Sequence, residues 1–214
     1  MRRKVYMRDV EALLDKLDTC YPDAHCELDY GSDWQLLVAV ILSAQCTDKR
    51  VNQVTPKLFE RASSPQDFVD IPLEELEKLI YSCGFYHNKA KNIKLAARDV
   101  VEKFGGAVPG TIDELVTLAG VGRKTANVVF AVGFKGQAMP VDTHVFRLAH
   151  RLGLSDGKTP EAVEKDLRAV IPEKYYTRAH HLLIFHGRYT CKSRRPECDK
   201  CMVKEYCVNP DFHS

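Results

Sequence analysis

Apolar residues along this chain recur mostly at helical spacing. Leu13, Leu14 and Leu17 mark one face of a helix near the N-terminus. The unbroken apolar run Leu36 to Leu42 fits either a buried strand or a buried helix. The capping pattern Ser32-x-x-Gln35 at its start and its continuation through Ser43-Ala44-Gln45 favour a helix over Trp34 to Gln45. Thr111-x-x-Glu114 opens another short helix. Ser64-Pro65 and Thr159-Pro160 each place an N-cap residue before a proline at the first helical position. Tyr175 to Tyr189 has the length of a helix and no internal proline. Period-two alternation is scarce, and the turn candidate Ser155-Asp156-Gly157-Lys158 lies between helical patterns rather than strands. The pattern predicts an all-α protein. No low-complexity stretch or linker interrupts it, so any domain division must come from how helices pack.

The 214 residues are 45% hydrophobic and 28% charged, which is ordinary globular composition with room for one large domain or two small ones. No apolar run approaches the ~20 residues that span a bilayer. The basic start Met1-Arg2-Arg3-Lys4 is followed by Asp9 and Glu11 rather than by a signal-peptide core, so an intracellular protein without membrane attachment is expected. A net charge of +2 is too mild to argue for nucleic acid by itself; such a partner would need a local basic patch. Eight cysteines in an intracellular chain read as thiols rather than disulfides. Cys20, Cys26, Cys46 and Cys83, scattered singly, read as buried structural thiols.

Two segments and the remaining cysteines carry candidate chemistry. In Leu115 to Asn127 a short helix meets a turn containing Gly120 and Gly122, and a second apolar helix is expected over Ala126 to Phe134. The glycines permit a sharp turn and close approach to the backbone. The N–H groups that open the second helix suit an anion such as a phosphate. A plain helix–helix corner would explain the glycines alone. Arg123 and Lys124, however, put positive charge at the positive end of a helix, costing up to ~1 kcal/mol unless an anion or a function compensates. The same field favours a neutral, nucleophilic amine on Lys124. One helix later, in Val141-Asp142-Thr143-His144, Asp142 or Thr143 can cap a helix. A carboxylate there could also stabilise positive charge developing on a sugar.

Cys191, Cys198, Cys201 and Cys207 follow the pattern Cys-x6-Cys-x2-Cys-x5-Cys. Four thiols so close in sequence point to a metal centre, and the spacing leaves zinc and iron–sulfur both open. Between the first two, Lys192, Arg194 and Arg195 precede any acid until Glu197. A loop pinned at both ends could present these cations to a phosphate backbone, although a charge run is commonly just a solvated face.

Taken together, Leu42-Ser43-Ala44-Gln45-Cys46-Thr47-Asp48, Gly84-Phe85-Tyr86-His87-Asn88-Lys89-Ala90, Gly120 to Asn127, Val141-Asp142-Thr143-His144 and the four-cysteine run resemble the endonuclease III family. This is the iron–sulfur branch of the helix–hairpin–helix DNA glycosylase and AP lyase superfamily. The resemblance extends over nearly the whole chain. It implies two helical domains flanking a DNA-binding cleft: a six-helix domain over residues 25–135 with the hairpin at about 111–134, and a discontinuous domain of 1–24 and 136–214. A [4Fe–4S] cluster on Cys191, Cys198, Cys201 and Cys207 is implied as well. Lys124 is then the nucleophile and Asp142 the essential carboxylate. Gln45 and Phe85 match positions that enter the duplex to fill the gap left by an extruded base. Gly120, Gly122, Arg123, His144, Lys192, Arg194 and Arg195 are the other expected DNA contacts. Two departures stand out: Ala119 where the family often has proline, and Phe85 in place of the more usual leucine.

The activity so implied is release of damaged pyrimidines from double-stranded DNA, followed by β-elimination at the abasic site, by a monomeric enzyme. Two rivals are a monofunctional glycosylase of the same superfamily and a non-catalytic helix–hairpin–helix module. The first would lack the lysine, and the second would need neither Lys124 nor Asp142.

Overall fold

In the computed structural model, which describes residues 7–208, all regular structure is helical, and no strand forms among the described residues. Contacts divide the chain into two compact units. One runs from Glu27 to Gly136; the other joins the chain up to Cys26 to the chain from Gln137 onward. No helix among the described residues is long and apolar enough to cross a membrane.

The continuous unit holds α2 (Asp33–Ser43), α3 (Asp48–Arg61), α4 (Pro65–Asp70), α5 (Leu73–Ile80), α6 (Tyr86–Phe104), α7 (Ile112–Leu115) and α8 (Arg123–Val132). The apolar run of α2 is a helix buried on every side, from Leu36 through Leu42, as a helix without a polar face must be. Ser32 caps it by accepting from the Gln35 backbone N–H. Gln35 returns its amide oxygen to Gly31 N–H at 2.7 Å, one residue earlier than a capping box would have it. The helix stops at Ser43 and does not continue through Gln45, whose φ of +54° lies in the left-handed region. A short-range pattern does not foresee that stop, and the Leu42 carbonyl in the last turn accepts from a side chain 47 positions away, Lys89. Ser64 forms a full capping box with Asp67, and Pro65 follows at the first helical position. The box holds the Asp67 carboxyl below the usual carboxylate range through the Ser64 and Ser63 backbone N–H groups. On α6 the buried positions Ala90, Ile93, Ala97 and Val100 trace one helical stripe, packed against α4 and α5.

The second unit packs α1 (Met7–Cys20), α9 (Thr143–Arg151), α10 (Pro160–Val170) and α11 (Tyr176–Tyr189). Leu13, Leu14 and Leu17 of α1 are buried with Val145, Leu148, Leu167, Leu182 and Leu183 in one apolar core. Thr159 caps α10 with Pro160 behind it. Arg178 of α11 reaches the turn after α1, donating to the carbonyls of Ala24 at 2.6 Å, Tyr21 at 3.0 Å and Pro22 at 2.9 Å. One guanidinium thus serves three carbonyls of that segment. Of the scattered thiols only Cys83 is buried, while Cys20, Cys26 and Cys46 are half-buried, contrary to expectation. Cys20 ends a helix and Cys46 follows a left-handed residue, chain-end and loop positions that leave each of them partly exposed.

Candidate active site and cysteine cavity

The glycine turn joins α7 to α8. Thr111 caps α7, and Leu115, Leu118 and Val121 pin the turn to the core. Gly120 sits at φ +77°, and a Cβ on it would lie 2.8 Å from Asn92 Cβ on α6. Only glycine fits both the backbone angle and the space. Gly122 serves a different purpose: it is the extended N-cap of α8 and brings no side-chain cap of its own. A helix start without a capping side chain is the arrangement that receives anions. The helix starts at Arg123, earlier than the expected Ala126, because Gly122 already takes the extended cap geometry. Arg123 and Lys124 stand exposed on its first turn, opposite the buried face of Ala126, Asn127 and Val129.

In the same unit, Gln45 and Phe85 occupy two exposed loop tips. Both are non-glycine residues in the left-handed region, at φ +54° and +48°. Phe85 exposes 66% of its surface, which is unusual for a phenylalanine without something to pack on. Left-handed backbone at bulky residues costs about 1–3 kcal/mol and persists only where the surroundings impose it, commonly at functional sites.

In the other unit, Asp142 is the N-cap of α9, its Oδ1 accepting from Val145 N–H at 2.7 Å. His144 is half-buried, its Nδ1 3.2 Å from Arg147 Nη2, and burial pulls its pKa below the usual imidazole value. Arg147 and Arg151 continue that face of α9 toward the cysteine loop. Arg147 donates to the carbonyls of Gly187 at 2.9 Å and Cys191 at 3.1 Å. Arg151 donates to Cys191 Sγ at 3.2 Å and to Lys192 O at 2.9 Å. Neither arginine was foreseen, yet His144, Arg147 and Arg151 at steps of three and four form a polar stripe that could have been read.

Cys191, Cys198, Cys201 and Cys207 together line one cavity of about 30 Å³, with His186, Thr190 and Arg151 among its walls. Burial pushes the Cys201 thiol up, and the three other thiols add to the shift. A thiolate at Cys201 is therefore disfavoured without a cation to hold it, which is what a metal centre supplies. His186 is buried and held neutral, its pKa drawn down to about 4 by burial. Its Nε2 lies 3.7 Å from Cys201 Sγ and its Nδ1 3.2 Å from the Tyr21 hydroxyl. The donor set and its shared cavity fit a thiolate-bound metal group. As the side chains stand, however, no group of three or more His, Cys, Asp or Glu among the described residues is ready to hold a metal ion. The expected iron–sulfur loop is thus present as a cavity lined by its four cysteines. Of the loop cations, Lys192 is paired with Glu197 at 2.6 Å, so its charge is shared, while Arg194 and Arg195 are exposed.

Residues 38–173 match the HhH-GPD superfamily of base excision DNA repair proteins. Endonuclease III of Bacillus subtilis is 47% identical over 202 residues, which cover 94% of this chain and 92% of that protein. The chain belongs to the endonuclease III family. Two solved structures of endonuclease III, a trapped covalent DNA intermediate with an estranged adenine and a non-covalent DNA complex, each superpose with a TM-score of 0.91. Each is 45% identical, covering 95% of this chain and 96% of its own. The superfamily match ends before the cysteine loop, whereas these two likenesses run over nearly the full chain.

Proposed function

We propose that this endonuclease III family member removes damaged pyrimidines from duplex DNA and then cleaves the strand 3′ to the abasic site. The observation that carries the reading is Lys124, exposed on the uncapped first turn of α8, in a chain so similar to an enzyme trapped covalently on DNA. A base within the stack is out of reach, so the damaged nucleotide is first extruded, at a cost of a few kcal/mol that is smallest for a damaged pair. Gln45 and Phe85 fill the space it leaves. The N–H groups at Gly120 and Gly122 hold backbone phosphates, with Arg123, His144, Lys192, Arg194 and Arg195 contributing charge and hydrogen bonds.

The lone pair of Lys124 Nζ attacks C1′ as the C1′–N bond to the base breaks, and Asp142 offsets the positive charge arising on the sugar. The amine gives up a proton, the ring opens, and an iminium joins Lys124 to C1′. That iminium acidifies the C2′ proton. Its removal sends the electron pair toward C3′, expelling the 3′ phosphate by β-elimination. The Schiff base is then hydrolysed to free the lysine. Cys191, Cys198, Cys201 and Cys207 would hold a [4Fe–4S] cluster, which when bound supplies structural cross-linking of the loop. No chemical step needs it. The reading places a monomer on double-stranded DNA, and hence inside the cell with the genome.

A duplex carrying thymine glycol, incubated with enzyme and borohydride, tests the reading. Wild type should nick the strand and form a covalent adduct; Lys124→Gln should form no adduct and leave no nick. Base loss without nicking would point to a monofunctional glycosylase, and binding alone to a non-catalytic module.

A further inference from the structure

Lys89 is the most deeply buried lysine among the described residues, only 6% exposed, and the mechanism above gives it no task. Its ammonium donates to Leu42 O at 2.8 Å and to Cys83 O at 2.7 Å. Leu42 lies in the last turn of α2, and Cys83 ends the 3-10 turn Tyr81–Cys83. Carbonyls at such ends lack partners within their own helices and carry the negative end of the dipole, so one cation stabilises two helix termini at once. Two or three residues beyond each carbonyl stands a strained left-handed residue, Gln45 on one loop and Phe85 on the other. Gly84, also left-handed at φ +64°, lets the second loop turn immediately after its anchor. The thiols of Cys46 and Cys83 are near enough to interact electrostatically with the same ammonium, and they bond to each other. The two loops thus meet over one charged post. Burying an ammonium is costly unless its donors are used, and an unrelated packing role would be filled more cheaply by leucine or methionine.

We infer that Lys89 is a positioning residue that fixes the spacing of the two loop tips, so that Gln45 and Phe85 enter the duplex as one rigid unit. The inference rests on the wedge role proposed for those two residues. Strain at two tips persists because a common anchor overdetermines both backbones; without it each tip relaxes independently. A misplacement of about an ångström then slows nucleotide extrusion, a step that single-stranded DNA does not require.

The test compares Lys89→Met with wild type on two substrates: a thymine-glycol duplex, and a single-stranded oligonucleotide with a preformed abasic site. Duplex nicking should fall by roughly 10- to 100-fold more than single-strand nicking, the scale that small misplacements produce. In a Gln45→Ala/Phe85→Ala background the further effect of Lys89→Met should largely vanish, since the lysine acts through those tips. Equal loss on both substrates by a folded variant overturns the inference, and so does no loss on either. If Lys89→Met does not fold, Lys89→Gln, which keeps a single amide to serve one carbonyl, is read by the same ratio; failure of both to fold makes the lysine a general structural element and also overturns it. Selective duplex loss in Gln45→Ala and Phe85→Ala but not in the Lys89 variant would refute this inference alone. Equal losses on both substrates in the wedge variants would instead remove the wedge reading beneath it.

Discussion

Substituting Gly120 with alanine separates the two glycines of the hairpin in a measurable way. At φ +77° an L-residue is strained by ~1–2 kcal/mol before any contact is considered. Its Cβ would then press on Asn92 Cβ at 2.8 Å and on Asn92 Cγ at 3.2 Å. Those atoms stand on α6, a 19-residue helix with six buried side chains, so the neighbour cannot retreat freely. Overpacking of this sort adds ~1–3 kcal/mol. Gly122→Ala meets neither obstacle: φ is −83° and nothing lies within 4 Å of the added methyl. Its cost is confined to a poorer N-cap, ~1 kcal/mol or less. For a chain of this size each kcal/mol moves the melting temperature by ~2–4 °C, so Gly120→Ala, at ~2–5 kcal/mol, should melt roughly 4–20 °C lower and Gly122→Ala only a few degrees lower. Melting followed by helical circular dichroism reads the difference. Affinity for a duplex bearing an abasic-site analogue, measured well below both transitions, should fall more for Gly120→Ala because the turn that aims the N–H donors is displaced. Equal melting temperatures for the two variants would refute the reasoning, since only one of the glycines is sterically required.

Asp142→Asn keeps an oxygen for Val145 N–H and so preserves the cap of α9, yet removes the carboxylate; glycosylase rate should drop by orders of magnitude at near-native stability and DNA affinity. Asp142→Ala should add a loss of ~0.5–2 kcal/mol from the vacant cap, read by urea denaturation. Purified protein should be brown with iron and sulfide, and Cys198→Ser should lose iron and visible absorbance together; a colourless protein with stoichiometric zinc would contradict the cluster assignment. Burial draws the pKa of His181 from 6.5 to about 3. A histidine depressed in the fold binds its proton only in the unfolded chain between those values, so stability is complete above about 6.5 and declines as pH falls toward 3. One such proton gives at most ~1.4 kcal/mol per pH unit. His181→Gln should flatten the acid limb of a stability–pH profile, and an unchanged slope would count against the assignment.

Local rules made most of the helices legible. The N-cap bonds at Ser32, Ser64, Thr111, Asp142 and Thr159 act within three residues of themselves and all form, although the reciprocal bond of a full capping box is made at Ser64 and not at Ser32. What stayed hidden acts at long range. The Leu42 carbonyl at the end of α2 is bonded by Lys89, and Cys191 of the cysteine loop is bonded by Arg147 and Arg151, each some 40 residues or more away in sequence. The metal preferred by the cysteines was equally out of reach, because spacing counts ligands without fixing how the thiols converge.

Even so, long-range polar anchors leave a trace in a helical pattern. Lys89 lies four, seven and eleven positions before Ile93, Ala96 and Val100, squarely on the buried stripe of α6. A lysine in that register must either distort the helix or find acceptors inside the protein, because its ammonium cannot be left unpaired in an apolar core. Helix α6 runs without interruption through Lys89, and the acceptors are two carbonyls at the ends of other helical segments. A charged residue in the core register of a long helix therefore signals unpartnered helix ends nearby, and here those ends carry the two strained tips that the proposed reaction uses.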